Sequence, residues 1–338
     1  MKSFFTLLFL LAFLHISAQQ RDSADFYFNK GVESKKARIF LVASQAFEKA
    51  IVFDKRLAAA YFENALVLIE MKKNDAAIRN FTKAHELNPA DKETIRQLMD
   101  LHFNYRQFTK AIEFAMKCAD CPNSSKIIGM GFYRQEDYLK AEKYLMAAVS
   151  KDPSDAEAMY TLARSYVDMD LYPKAIPFYE MAVQLDKSKP LWHYELGLIY
   201  FNLTNYKASV TSLNNALSNG YKPGDDFNEN LGYSSLYSGQ YEKGEKLLMN
   251  IWMKKPGNTD LLRDLAEVLY QQKQYDRSLT YCQKLMEINM DDSRALYQAG
   301  LNFIKKGNKD KGQQMCDRAI NINPALASLR QEKKMPGM

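Results

Sequence analysis

AAAYFENALVLIEMKKNDAAIRNFTKAHELNPAD, residues 58–91, is the stretch that decides the fold. Its first half places Tyr61, Ala65 and Leu68 at positions i, i+4 and i+7, which form one face of a helix. A lysine pair then interrupts the pattern. We expect Asn74 to cap a second helix, because its side-chain oxygen can accept a hydrogen bond from a first-turn backbone N–H that has no other partner.

The second half of the stretch predicts another amphipathic helix, which packs against the first. Ala77, Phe81 and Ala84 share one face. The helix is expected to end before Pro89, since a proline disfavours helical angles in the residue that precedes it. The alanines allow the two backbones to approach closely, and Phe81 fills the remaining space. A helix pair of this size cannot bury its apolar faces alone, so it needs similar pairs as neighbours.

Two series of mostly small residues repeat this unit along the chain. The counterparts of Ala65 lie 30–35 residues apart: Gly31, Ala65, Met99, Gly129, Ala163, Gly197, Gly232, Ala266 and Gly300. The counterparts of Ala77 follow at the same intervals: Ala43, Ala77, Ala111, Ala141, Ala175, Ser209, Gly244, Ser278 and Gly312. Met99 is the exception to the small-residue pattern. Because both series give the same frame, the sequence predicts an all-α array of about nine helix pairs.

The repeated unit resembles the tetratricopeptide repeat family, whose pattern is W-x2-L-G-x2-Y, then A-x3-F, then P, at a period of ~34 residues. Residues 196–200, LGLIY, match the first part and residues 77–81, AIRNF, match the second, although Trp192 lies one residue early. The resemblance covers residues 24–326 and implies a right-handed superhelical solenoid of about nine helix-turn-helix units. It also implies a non-catalytic protein–protein interaction scaffold that binds a peptide or partner protein in a concave groove.

In that family the first helix of each pair lines the groove, so the resemblance implies that rows i, i+4 and i+7 of these helices contact the partner. These rows, with one adjacent tyrosine, give the candidate partner-binding residues Tyr133, Tyr160, Arg164, Tyr194, Phe201, Tyr233, Tyr237, Tyr270 and Tyr297. Tyrosine and arginine are enriched at interface hot spots. The chain has 21 tyrosines, however, and the alternative is that some of these rings pack between repeats.

Charge and motifs limit the functions that the sequence supports. The formal net charge is a mild +6, and lysines alternate with acids, so a nucleic-acid partner is not expected. We find no phosphate loop, nucleophile elbow or zinc-protease motif, and no histidine has a second ligand at metal spacing. The sequence therefore predicts no enzyme activity, no cofactor and no metal site. No repeat carries the Lys and Asn pair of the carboxylate clamp, so capture of a free C-terminal carboxylate by that device is not expected.

Cys118 and Cys121 form a C-x-x-C motif with two possible roles. One is a structural disulfide, which an oxidising compartment favours. The other is thiol–disulfide exchange. The motif is predicted at the C-terminal end of a helix, where the negative end of the helix dipole disfavours the thiolate that exchange requires. Cys282 and Cys316 hold equivalent positions in adjacent repeats, and we expect them to be too far apart to bond.

Residues 1–18 have the features of a secretory signal peptide. Lys2 gives a positive start, residues 4–14 are apolar apart from Thr6, and cleavage is expected near Ala18. A membrane anchor is the alternative, but the run is too short for ~30 Å of hydrocarbon, and no other long apolar run suggests a membrane span in the mature chain. We therefore expect a periplasmic or secreted bacterial protein, with residues 327–338 as a capping helix and tail. A regulatory or sensory module of an envelope complex is an alternative to a general scaffold.

Overall fold

A computed structural model describes residues 20–332, and these residues are helical throughout apart from turns. The predicted signal peptide, residues 1–18, lies outside the described residues. So do residues 333–338 at the end of the predicted C-terminal tail. The prediction of an all-α tandem array is confirmed for the part of the chain that the structure describes.

Nine helix pairs follow one another in residues 20–322. The first helices of the pairs are α1 (residues 20–36), α3 (Ala58–Glu70), α5 (Lys92–Asn104), α7 (Ser124–Arg134), α9 (Ala156–Asp168), α11 (Pro190–Asn202), α13 (Asp225–Tyr237), α15 (Asp260–Gln271) and α17 (Ser293–Lys305). The second helices are α2 (Phe40–Phe53), α4 (Asn74–Leu87), α6 (Phe108–Lys117), α8 (Tyr138–Lys151), α10 (Tyr172–Leu185), α12 (Tyr206–Ser218), α14 (Tyr241–Lys254), α16 (Tyr275–Ile288) and α18 (Lys309–Ile322). A 3-10 turn, Pro324–Leu326, and α19, Ala327–Glu332, follow them.

A left-handed residue makes the turn within each helix pair. At the quoted stretch this residue is Lys72, with φ of 57°, and the amide of Lys73 donates to the carbonyl of Leu68 at 2.8 Å. The equivalent turns use Arg38, Arg106, Glu136, Asp170, Thr204, Gly239, Lys273 and Gly307. This tight turn corrects the expected cap: Lys73 holds the N-cap position without a side-chain hydrogen bond, and Asn74 is already the first helical residue.

Close contact between the two helices of a pair explains the small-residue series. A Cβ atom added at Gly197 would lie 2.8 Å from Cγ of Leu213, which is closer than packed atoms approach. The third pair reaches the same packing with the sizes exchanged. There Met99 holds the small-residue position, and Ala115 holds the position of the large partner; both are fully buried in one cluster. The off-pattern methionine therefore conserves the volume of the core.

The chain divides into two compact units, which we call the N-terminal unit, ending at Phe178, and the C-terminal unit, beginning at Tyr179. The boundary falls inside α10, one residue after Pro177. Near the end of the C-terminal unit, Leu326 of the 3-10 turn is buried against Leu296 and Tyr297 of α17. The 3-10 turn thus covers the last helix pair, as expected of a terminal repeat.

Candidate partner-binding surface

In the N-terminal unit, α7 and α9 bring a tyrosine, an arginine and a carboxylate together. We call these three residues, Tyr133, Arg164 and Asp168, the Tyr133 cluster. Burial raises the pKa of Tyr133 to about 12, and Asp168 adds to this by accepting its hydroxyl hydrogen bond, whereas Arg164 acts in the opposite direction. An Nη of Arg164 lies 4.0 Å from a carboxylate oxygen of Asp168. The charges of this cluster are therefore balanced. Tyr160, also on α9, is half-buried.

In the C-terminal unit, three consecutive first helices surround an open cavity of about 480 Å³, which we call the aromatic–acidic cavity. Its lining comprises Phe201 of α11, Glu229, Tyr233 and Tyr237 of α13, and Asp264, Glu267, Val268 and Gln271 of α15. The three predicted aromatic residues are half-buried, so each keeps an accessible part of its ring.

Contacts among neighbouring helices fix the rings of this cavity. Tyr237 stacks on Tyr206, with ring centroids 4.5 Å apart, and Tyr206 meets the edge of Phe201 at 5.6 Å. The hydroxyl of Tyr233 donates to Asp264 at 3.2 Å. Because each ring has a neighbour that limits its rotation, the aromatic wall is positioned before any partner arrives.

The charged residues that line the aromatic–acidic cavity are all acidic. Partial desolvation, then the charges of Asp226 and Asp264, raise the pKa of Glu229. Burial raises the pKa of Tyr233, and the nearby Asp264 and Glu229 carboxylates add to the shift. None of the eight lining residues carries a positive charge. Glu267 accepts a hydrogen bond from the Gln271 amide at 3.1 Å, which is a neutral donor.

A second cavity, of about 270 Å³, lies beside the first and shares Asp264 and Glu267 with it. Arg263, Arg294 and Gln298 also line this second cavity, so its charge is mixed. Arg263 is held by ion pairs to Asp292 at 2.7 Å and to Asp260 at 3.0 Å.

Some of the predicted rings are used for packing instead. Tyr194 stacks on Tyr221, with ring centroids 4.7 Å apart, and is tilted against Phe227 at 5.3 Å. Much of its ring is therefore used in the contact of α11 with the next repeat. Tyr270 is half-buried and tilted against Tyr275 at 5.7 Å. Tyr297 is only 5% exposed. It packs among Cys316, Leu326 and their neighbours in the C-terminal cluster, and we remove it from the candidate surface.

At position i of the i, i+4, i+7 row of a first helix, a cation can form an ion pair with the next repeat. Lys126 of α7 pairs with Asp155 at 2.9 Å and with Glu157 at 3.0 Å. Arg263 makes the equivalent pair with Asp292. Both aspartates also cap the following first helix. These cations therefore join consecutive repeats and do not belong to the candidate surface.

Sequence reasoning missed the acids as a group. Glu229 and Glu267 lie on the predicted rows, but Asp264 lies beside a row and was not expected to contribute. The available sequence signal was the presence of three acids on or beside the rows of two consecutive first helices.

Cys118 and Cys121 are joined by a disulfide, with their Cα atoms 5.3 Å apart. Cys118 is the C-cap of α6, and both cysteines are buried. A buried disulfide at a helix C-terminus is poorly placed for attack by an external thiolate. Within residues 20–329, the one group of side chains close enough to share a metal ion is Cys118, Asp120 and Cys121. Its sulfurs are bonded to each other and are therefore not thiolate ligands. Cys282 and Cys316 are buried thiols.

Family models place the repeats along most of the chain. Three tetratricopeptide repeat models match, one at residues 58–91, 193–219 and 293–326, one at residues 128–190 and one at residues 235–301. Together these segments cover more than half of the sequence. The chain belongs to the tetratricopeptide repeat family. Proteins of this family are generally protein-interaction scaffolds and are typically non-catalytic. In residues 20–332, no helix is both long enough and apolar enough to cross a bilayer.

Two curated relatives share tetratricopeptide repeats with this chain. A TPR repeat-containing protein of Methanocaldococcus jannaschii is 23% identical over 192 residues, which are 54% of this chain and 32% of that protein. Hsp70-Hsp90 organizing protein 3 of Arabidopsis thaliana is 24% identical over 174 residues, which are 50% of this chain and 30% of that protein. The chain thus spans about a third of the length of the curated relatives it matches.

Solved structures of similar repeats include YrrB, described as a TPR protein with an unusual peptide-binding site. It is 23% identical, with a TM-score of 0.40 over 56% of this chain and 98% of that one. PilW, described as a type IV pilus biogenesis factor, is 17% identical, with a TM-score of 0.45 over 62% of this chain and 96% of that one.

Proposed function

We propose that this protein is a non-catalytic scaffold that holds an extended peptide or loop of a partner protein against its first helices. The observation that carries the proposal is the aromatic–acidic cavity. Three half-buried aromatic rings and four polar side chains meet there around open space. Apolar walls with a few fixed polar groups are the usual composition of a binding pocket, and about 480 Å³ lies within the usual range of ~300–1,000 Å³.

We place this scaffold in the bacterial envelope or outside the cell. Two observations support that location. The apolar, positively started sequence of residues 1–18 is typical of a secretory signal. The Cys118–Cys121 disulfide is of a kind that persists in oxidising compartments. An N-terminal sequence beginning at Gln19 in protein purified from the native host's envelope fraction would support this location, and an intact Met1 in cytosolic protein would contradict it.

Site-specific photo-crosslinking tests the binding surface directly. A benzophenone amino acid is placed at Tyr237 or Gln271, which line the cavity, or at Met253, an exposed control position on α14. We expect irradiation of cells to give a discrete product from the two cavity positions and none from Met253. Mass spectrometry of the product should identify one partner segment attached at both. Equal products from all three positions would contradict binding at the cavity.

A further inference from the structure

The aromatic–acidic cavity carries an inference about its occupant, which rests on the proposed function. Glu229, Asp264 and Glu267 direct three carboxylates to one aromatic-walled space, and none of its lining residues is a cation. We propose that the cavity binds the side chain of a lysine or arginine in an extended segment of the partner protein.

The first argument is that other exposed acids of the C-terminal unit have cationic partners within the chain. Asp225, 47% exposed, pairs with Lys254. Asp276, 81% exposed, pairs with Lys306. The chain does not lack cations, since its formal net charge is +6. An aromatic cavity that concentrates acids without a cation in its lining is therefore complementary to a positive group from another molecule.

The aromatic wall supplies the second argument. A lysine or arginine has a long apolar stem and a charged head, so it packs its stem on apolar surface while the head reaches polar groups. The half-buried rings of Phe201, Tyr233 and Tyr237 offer such a surface, and an aromatic face also attracts a cation directly. The carboxylates at the rim then accept charge-assisted hydrogen bonds, which are about twice as strong as those between neutral groups.

The adjacent cavity explains why the basic side chain should prefer one position. Arg263 and Arg294 line that second cavity, so a cation placed there meets like charge. Asp264 and Glu267 stand between the two cavities and face both. A segment with one well-placed basic residue thus fits better than a continuous basic run, which would place further cations beside the two arginines.

A peptide library displayed on phage tests the occupant with the full-length protein. Random nonapeptides are selected on the wild type, and the selected peptides are then measured by fluorescence anisotropy. We expect them to share a lysine or arginine whose replacement by norleucine or citrulline weakens binding about ten-fold or more, as expected for the loss of a charge-assisted bond. The double variant Glu229→Gln/Asp264→Asn should weaken binding by a similar factor.

Matched variants separate the possible outcomes. Glu287→Gln/Asp310→Asn removes two exposed acids on α16 and α18 and should leave binding unchanged. Gln271→Lys, which places a cation in the cavity wall, should weaken binding even if another variant folds poorly. Circular dichroism verifies the fold of each variant.

The failure of this inference and the failure of the proposed function are distinguishable. Peptides that lose binding with Tyr233→Ala/Tyr237→Ala but carry no basic residue overturn the cationic occupant and leave the docking surface in place. Peptides whose affinity for Glu229→Gln/Asp264→Asn equals their affinity for the wild type also overturn the cationic occupant and leave the docking surface in place. A library that gives no peptide dependent on Tyr233 and Tyr237 overturns both.

Discussion

The Tyr133 cluster and the aromatic–acidic cavity both pair a tyrosine with an aspartate across consecutive first helices, but they differ in charge. Each sets a tyrosine of one first helix against an aspartate of the next, Tyr133 with Asp168 and Tyr233 with Asp264. In the N-terminal unit an arginine accompanies the aspartate. In the C-terminal unit two glutamates take the place of that cation. The tyrosine and the aspartate hold different repeat positions in the two regions. The repeat therefore fixes which helices face each other, while the residues on those helices decide whether the contact is charge-balanced or open to a partner.

The largest expected effect concerns the helices that carry the two tyrosines. A Cβ at Gly129 would lie 2.9 Å from the backbone nitrogen of Leu145, which cannot move aside, whereas at Gly232 the atoms within 3.0 Å belong to the flexible side chain of Leu248. We expect Gly129→Ala to destabilise its helix pair by about 2 kcal/mol, and Gly232→Ala by less. Hydrogen exchange of α7–α8 and α13–α14 measures each pair separately. Equal losses of stability would mean that the two helix pairs tolerate an added Cβ atom equally well, which would contradict the prediction.

The second prediction is that removing one acid acts in opposite directions in the two regions. Glu229→Gln removes a partly desolvated carboxylate that has two acidic neighbours, so it should stabilise α13 and α15. Since Glu229 is largely exposed, solvent screening limits the gain to a few tenths of a kcal/mol. Asp168→Asn weakens the pairing with Arg164 and the hydrogen bond from Tyr133, so it should destabilise α7 and α9. Denaturant midpoints and hydrogen exchange show whether each variant gains or loses stability. A loss of stability in both variants would contradict the proposed difference in charge between the two regions.

The pH dependence of the stability change caused by Glu229→Gln is a further test of the difference in charge between the two regions. The pKa of Glu229 is raised in the folded state, so its contribution to stability is present below its unfolded pKa and is lost as pH rises through the folded value. The free energy of unfolding of Glu229→Gln should therefore exceed that of the wild type by the largest margin at neutral pH. As pH falls through the raised pKa, the wild-type side chain also becomes neutral and the advantage should shrink. Thermal unfolding of both proteins between neutral and acidic pH measures this, and an advantage that grows on acidification would contradict the assignment.

Salt should give the smallest effect. Raising the ionic strength from 0.01 M to 0.15 M shortens the Debye length from about 30 Å to about 8 Å. Repulsion among Glu229, Asp264 and Glu267 is then reduced, so α13 and α15 should gain protection worth a few tenths of a kcal/mol. The Tyr133 cluster, whose charges are balanced, should change less. Hydrogen exchange at the two salt concentrations tests the difference within one molecule.

The fold could be predicted from the sequence because two series of small residues marked the same contact in repeat after repeat. Even the misfit at Met99 follows the rule, since Ala115 is small where its counterparts are large. The turns were less visible. Lysine, arginine, glutamate and threonine take a left-handed conformation at six of them, and none of these residue types signals such an angle. The Asn74 cap was wrong for that reason.

The candidate site could be predicted only in part, because periodicity shows which face of a helix a residue occupies but not what the next repeat places against it. The rows located Tyr133, Tyr233 and Phe201 on first helices, where the structure has them. They could not show that the C-terminal turn brings Leu326 against Tyr297 and buries it. Nor could they show that Asp264, beside its row, reaches the hydroxyl of Tyr233.

The most direct test of the central claim is the affinity of one selected basic nonapeptide for charge-matched variants of the two regions. Isothermal titration calorimetry with the full-length protein would compare the wild type, Glu229→Gln and Asp168→Asn. Binding should weaken several-fold with Glu229→Gln and stay at the wild-type value with Asp168→Asn. Equal weakening, or weakening with Asp168→Asn alone, would contradict the assignment of the partner to the aromatic–acidic cavity.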